Sequence, residues 1–242
     1  MFRIKTRFGL ALLIIIFISG LSDTINTAPQ NPEIQKSDKI IKQETDNYLI
    51  NVKYPIVAHQ KINRAIEQLI QKTVSDFKRQ IGPKRVSSAW KNELWITYTI
   101  SRCSDSIGSI RFDIYTFTGG AHGNTQVVTK TYDFKTGKAL ALTEIFNPKT
   151  NYLVRISELV CPIITKKMQT PKSDWINTGT APTAENYQAF MLTEKSIIFI
   201  FQQYQVGPRV EGIPEVELKF EQVKDILPPA VTSGIKLKNQ RT

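Results

Sequence analysis

The chain has 242 residues, 41% of them hydrophobic, including 12 Phe, 8 Tyr and 3 Trp; this composition excludes a disordered or collagen-like polymer and supports a packed core. The formal charge is +11, a surplus that suits anionic wall polymers or lipid head groups, or simply a lysine-rich soluble surface. With His59 and His122 as the only histidines, zinc motifs of the His-x-x-x-His and His-Glu-x-x-His kinds are excluded, and no metal or cofactor is expected.

Residues 1–22 read as a signal peptide or N-terminal anchor. Arg3, Lys5 and Arg7 precede the apolar run Phe8 to Ile18, and the small residues Ser19, Gly20 and Ser22 follow, which is the layout of a secretory leader with Ser22–Asp23 as the candidate cleavage point. A spanning helix needs roughly 20 apolar residues, and the run falls short of that. Cleavage would lower the charge by three. The expected location is therefore the periplasm or the outer face of the cytoplasmic membrane, with membrane contact only through residues 1–22. Nucleic acid is not an expected partner of an exported chain.

Residues 23–45 are rich in Asn, Gln, Lys and Thr, carry Pro29 and Pro32, and read as a flexible tether. Tyr48, Ile50 and Val52 alternate as a strand closed by Pro55. From His59 the period changes to 3.6, with Ile62, Ala65, Ile66, Leu69, Ile70, Val74 and Phe77 on one stripe, and Gly82-Pro83 ends that helix near Gln80. Three strands follow, over Leu94–Ile100, Ile110–Phe117 and Gln126–Phe134, then a turn at Lys135–Lys138 and a short strand over Ala139–Leu142. Asn147-Pro148 opens a second helix whose face is Tyr152, Leu153, Ile156, Leu159, Val160, Ile163 and Ile164. Residues 169–186 read as loop, Tyr187–Thr193 and Ser196–Gln203 as a hairpin, Val216–Phe220 as a last strand, and Glu221–Leu227 as a short closing helix. This order predicts an α+β fold with antiparallel sheets, two main helices and two packed subdomains, 46–134 and 135–228, followed by a basic tail, 229–242.

No pattern in the chain carries recognisable catalytic chemistry. There is no Gly-x-Ser-x-Gly elbow, and Gly137-Lys138 lacks the partner glycine of a phosphate loop. Cys103 and Cys161 could form a disulfide in an oxidising compartment, or remain two buried thiols; as nucleophiles beside His122 they would need an exposure their patterns deny. Asp105, Asp113, Asp133 and Glu144 show no spacing that selects an acid–base pair. The distinctive stretch is Thr118-Gly119-Gly120-Ala121-His122-Gly123-Asn124, where three glycines in five residues imply unusual backbone angles or close approach of another group. It is the candidate ligand-binding loop, and also reads as a tight connection whose histidine bonds local backbone.

The run Tyr115 to Asn124 resembles a signature of bacterial envelope proteins, the domain shared by RsiV-type anti-sigma factors and the N-terminal part of PdaC-type peptidoglycan deacetylases. Tyr132-Asp133, Thr136-Gly137, Leu142 to Phe146, Phe201 to Pro208 and Gly212-Ile213-Pro214 extend the likeness over nearly all of 46–227, with a PdaC-like first half and an RsiV-like second half. The resemblance implies an extracytoplasmic binding or sensing module whose partner is lysozyme or a cell-wall glycan. The seven residues before the apolar run leave no room for a sigma-factor-binding segment, and the histidines of a metal-dependent deacetylase domain are not in this sequence. The expectation is thus a non-enzymatic module; the competing readings are an envelope hydrolase or deacetylase around His122, and a structural envelope component.

Overall fold

A computed structural model of the chain describes residues 35–83, 89–169 and 171–228. The expected leader 1–22, the first part of the expected tether and the expected basic tail 229–242 lie outside the described residues.

Six strands form the first sheet in sequence order: β1 (Gln35–Glu44), β2 (Tyr48–Val57), β3 (Asn92–Arg102), β4 (Ile107–Phe117), β5 (Asn124–Asp133) and β6 (Lys138–Leu140). Every neighbouring pair is antiparallel except β2 and β3, which run parallel from Tyr48↔Asn92 to Val52↔Ile96. The parallel join departs from the purely antiparallel expectation. Its cause is helix α1 (Gln60–Ile81) between the two strands, which carries the chain back to its starting end so that β3 follows the direction of β2.

β1 corrects the expected tether over 35–44. Its sequence QKSDKIIKQE has almost no apolar alternation because it buries little; Ile40 is 56% exposed. The strand is held by its ladder to β2, from Glu44↔Leu49 to Asp38↔Pro55. Pro55 does not close β2, since pairing with β3 has already stopped at Val52 and no bond to β3 remains to lose.

The helical stripe lands as the spacing dictates. Ile62, Ile66, Ile70, Val74 and Phe77 are buried, with Ile81 added, against Ile50, Val52, Leu94, Ile96, Ile110 and Phe112 of the sheet. His59 caps α1, its Nδ1 accepting the Lys61 N–H at 3.2 Å.

The second sheet has three strands, β7 (Phe190–Leu192), β8 (Ser196–Ile200) and β9 (Glu215–Lys219), all antiparallel. It shares a core with α2 (Leu142–Ile145), α3 (Tyr152–Lys167) and α4 (Ser173–Gly179). Ile156, Val160 and Ile164 are the fully buried positions of α3, while Tyr152, Leu153, Leu159 and Ile163 are half-buried around them. α4 and a 3-10 turn at Ala184–Tyr187 occupy the stretch expected as loop; α4 is too short for a helical period to register. The expected closing helix is only a 3-10 turn over Phe220–Gln222.

A small apolar seam of Val127, Ala189, Met191 and Ile200 joins the two sheets. Among the described residues β7 pairs only with β8, so its other backbone groups need partners, and hydroxyls of the first sheet supply them. The Leu192 N–H donates to Ser109 Oγ (2.9 Å), Ser101 Oγ donates to Leu192 O (2.7 Å), and the Phe190 N–H donates to Thr129 Oγ1 (3.0 Å). Arg111, half-buried on β4, bonds Asp113 beside it and Glu215 on β9. Burial works against its charge, but the two carboxylates outweigh it and hold the guanidinium pKa above its ordinary value.

Among the described residues no helix is long and apolar enough to cross a membrane. Cys103 and Cys161 are not joined in a disulfide. Both are half-buried against the second core rather than enclosed, because one ends β3 in a turn and the other sits at the margin of α3's apolar face.

Candidate functional site

The loop Thr118–Asn124 connects β4 to β5, and each of its glycines is accounted for differently. Gly119 and Gly120 have φ of +100° and +90°, a region that side-chain-bearing residues avoid. A methyl group on Gly119 would also stand 2.6 Å from the Trp90 ring, whereas one on Gly120 would meet nothing within 4 Å. Gly123 has ordinary backbone angles but lies against the Tyr115 ring, where a methyl would come within 2.4 Å.

His122 is exposed and projects next to Arg209, a residue in the segment that sequence periodicity left irregular. Arg209 Nη1 lies 2.5 Å from His122 Nδ1 and 2.9 Å from Gly123 O. A guanidinium can only donate, so Nδ1 is the lone-pair nitrogen and the imidazole proton is on Nε2. The 3.2 Å approach of Nδ1 to Gly123 O is then a contact rather than a bond. The histidine is tied to the second half of the chain, not merely to its own backbone.

Two glutamines from the same half fasten the start of β5. The Val127 N–H donates to Gln202 Oε1 (2.9 Å) and Gln202 Nε2 donates to Val127 O (2.8 Å), so one carboxamide mimics a neighbouring strand. The Thr125 N–H donates to Gln203 Oε1 (3.2 Å). Gln205 closes the turn from behind, accepting from the Gln202 N–H and donating to Gly179 O and Asn186 O. Tyr204 between them has φ +66° and is 46% exposed.

Beside the loop, the sheet face opposite α1 carries aromatic rings. Trp95 is 37% exposed and stands opposite Tyr115 in register, and Glu93 stands opposite Phe117. Trp90 meets Phe117 edge-on, with ring centroids 5.3 Å apart. The Trp95 indole N–H donates to Glu93 Oε2 (3.1 Å). Alternation places Glu93, Trp95, Tyr115 and Phe117 on one side of β3 and β4, and Trp90 joins them through Phe117 and Gly119, so the glycine loop and the aromatic ledge form a continuous surface. Sequence reasoning singled out the loop but missed Arg209 and the ledge; the ledge's signal was Trp95 interrupting an otherwise polar outer face.

Three of the four carboxylates considered as acids or bases are otherwise occupied. Asp113 pairs with Arg111. Asp133 accepts from the Lys135 and Thr136 N–H groups, and although burial opposes it these bonds hold its pKa below the ordinary carboxylate range. Glu144 pairs with Lys138 and accepts the Ala141 N–H, in that order of effect, and is lowered likewise. Asp105 is an exposed turn residue whose carbonyl accepts from Arg102. Among the described residues no group of three or more His, Cys, Asp or Glu is placed to hold a metal ion. A depression of about 640 Å³ beside Trp175 is lined by one local segment, Pro171–Thr178, and brings no converging polar groups from elsewhere in the fold. The loop surface offers aromatic faces and hydrogen-bonding groups, the chemistry of binding.

A two-sheet α+β fold with a glycine–histidine loop clamped by its C-terminal half defines the class of protein. Residues 41–125 match the family model described as deacetylase PdaC, and residues 143–221 match the model described as a protein of unknown function, DUF3298. The two matches follow one another along the chain, and the clamp joins the end of the first to the second. The peptidoglycan-N-acetylmuramic acid deacetylase PdaC of Bacillus subtilis is 28% identical over 218 residues, which is 89% of this chain and 46% of that enzyme, so the chain spans about half the length of this curated relative. A DUF3298 family protein from Pseudomonas aeruginosa has a TM-score of 0.54 at 16% identity, covering 81% of this chain and 93% of that one. A DUF3298 member from Bacteroides fragilis has a TM-score of 0.57 at 16% identity, covering 81% and 96%. These two structures show the fold alone.

Proposed function

We propose that the chain is an exported, non-enzymatic module of the cell envelope that binds the glycan of peptidoglycan on the surface formed by the glycine–histidine loop and the aromatic ledge. The observation that carries this reading is the ledge itself, with Trp90, Trp95, Tyr115 and Phe117 grouped beside a loop held in one geometry. The C–H faces of pyranose rings pack on aromatic side chains, and Glu93 and Arg209 at its borders can bond hydroxyl and N-acetyl groups. Similarity to an enzyme named for peptidoglycan supports the choice of glycan.

The test is co-sedimentation of the full chain with purified peptidoglycan, alongside capture by immobilised lysozyme. Wild-type protein is expected to sediment with the glycan, Trp95→Ala to lose at least ~10-fold in affinity while melting normally, and Trp95→Phe to retain most of it. No sedimentation, or equal sedimentation of Trp95→Ala, would sink the proposal; capture by lysozyme alone would transfer the surface to a protein partner.

A further inference from the structure

On the opposite side of the first sheet, a groove of about 440 Å³ lies between the first turns of α1 and the strands β4, β5 and β6. Its accessible apolar floor is Ala65, Leu69 and Ala139, with Ile66 and Phe112 almost fully buried beneath. The groove exists because α1 covers the β2–β3 half of the sheet more closely than the β4–β5 half, leaving part of the second half under a shallow opening. The volume is at the small end of the range in which compact ligands are held, about 300–1,000 Å³.

Three polar groups converge on this apolar floor. Lys61 on α1 and Lys130 on β5 stand at the rim, exposed, and among the described residues neither has a carboxylate partner. Tyr132, only 4% exposed, lines the groove as well. Burial pushes the phenol's pKa up, so it stays a neutral donor. The first turn of α1 contains no acidic residue, so the positive end of the helix dipole adds to the two ammonium groups without local compensation.

We infer that this groove binds an organic carboxylate with a compact apolar body, the body on Ala65, Leu69 and Ala139 and the carboxylate between Lys61, Lys130 and the Tyr132 hydroxyl. Charge complementarity selects an anion: two cations without a carboxylate partner and a neutral phenol line the opening. The apolar floor selects against a bare inorganic ion, which would leave that floor uncovered. The site is on the other face of the sheet from the aromatic ledge and does not depend on glycan binding there.

Isothermal titration of the full chain with 3-phenylpropionate tests the assignment, with 3-phenylpropanol, 3-phenylpropylamine and inorganic phosphate as matched probes. Saturable one-to-one binding of the carboxylate is expected, at least ~10-fold tighter than the alcohol and with none for the amine. The double variant K61Q/K130Q should weaken the carboxylate at least ~10-fold and Tyr132→Phe about threefold, with unchanged melting in each. Equal binding of alcohol or amine, phosphate binding as tightly as the carboxylate, or full affinity in the double variant would each overturn the assignment.

Discussion

Gly119 and Gly120 are adjacent, share a left-handed backbone, and differ in surroundings. Alanine at either position forces an unfavourable φ, with a cost of about 1–3 kcal/mol. Gly119→Ala must in addition move the Trp90 ring, which leans on Phe117. Gly119→Ala should therefore lower the urea midpoint further than Gly120→Ala, and it alone should shift the tryptophan emission. At His122 the governing interaction is with Arg209. The guanidinium can only donate, so the tautomer with its proton on Nε2 belongs to the folded loop. This role needs a partner 87 residues away, which no local motif discloses.

At the scale of elements, one device recurs: a side chain supplies backbone pairing where a strand ends or lacks a neighbour. Gln202 does this for Val127 of β5. Asn63, on the first turn of α1, does it for the last residue of β2, accepting the Val57 N–H at 2.8 Å and donating to Val57 O at 2.9 Å. Ser101, Ser109 and Thr129 do it for β7. Removing such a carboxamide leaves a donor and an acceptor unpaired, at a cost of about 1–3 kcal/mol. Asn63→Ala and Gln202→Ala should each lose stability of that order in urea titration. Hydrogen exchange should separate them, with Val57 deprotected in the first and Val127 in the second. Uniform deprotection in both variants would argue against local pairing as their role.

For the molecule as a whole, pH acts through carboxylates distributed over the first sheet and its borders. Lys53 holds the Asp38 pKa below its ordinary value, Lys91 does so for Glu44, Lys72 for Asp76 and Lys138 for Glu144, and Asp133 is lowered by turn N–H groups. The unfolded chain binds protons at these groups more readily than the folded one. Their contribution is complete above the ordinary carboxylate range, near pH 4, and is lost as pH falls through the lower folded values. All five are exposed or half-exposed, so salt screens the four ion pairs and the individual effects are small. The urea midpoint should fall steadily below pH 4, and 1 M salt should reduce the slope. A midpoint independent of pH between 5 and 2.5 would contradict this account.

The sequence by itself determined what local periodicity and turn chemistry can specify. The stripe of α1, the alternation of β2 to β5, the α+β class and the singular Thr118–Asn124 loop all follow from side-chain spacing, because a helix face or strand face must be apolar wherever it packs on a core. Tertiary structure decided what depends on partners distant in the chain. β1 is a strand by virtue of its ladder to β2, not through apolar alternation; β3 runs parallel to β2 because α1 intervenes; Cys103 and Cys161 lie against one core without bonding. Arg209 gives His122 its tautomer and Gln202 gives β5 its missing pairing, both across long loops. Hydrogen bonds of this kind leave no period in a sequence, since one polar residue at the right place in space suffices and its sequence separation is unconstrained. The candidate loop was thus visible from its glycines alone, whereas the aromatic ledge beside it and the clamp that holds it became visible only in the fold.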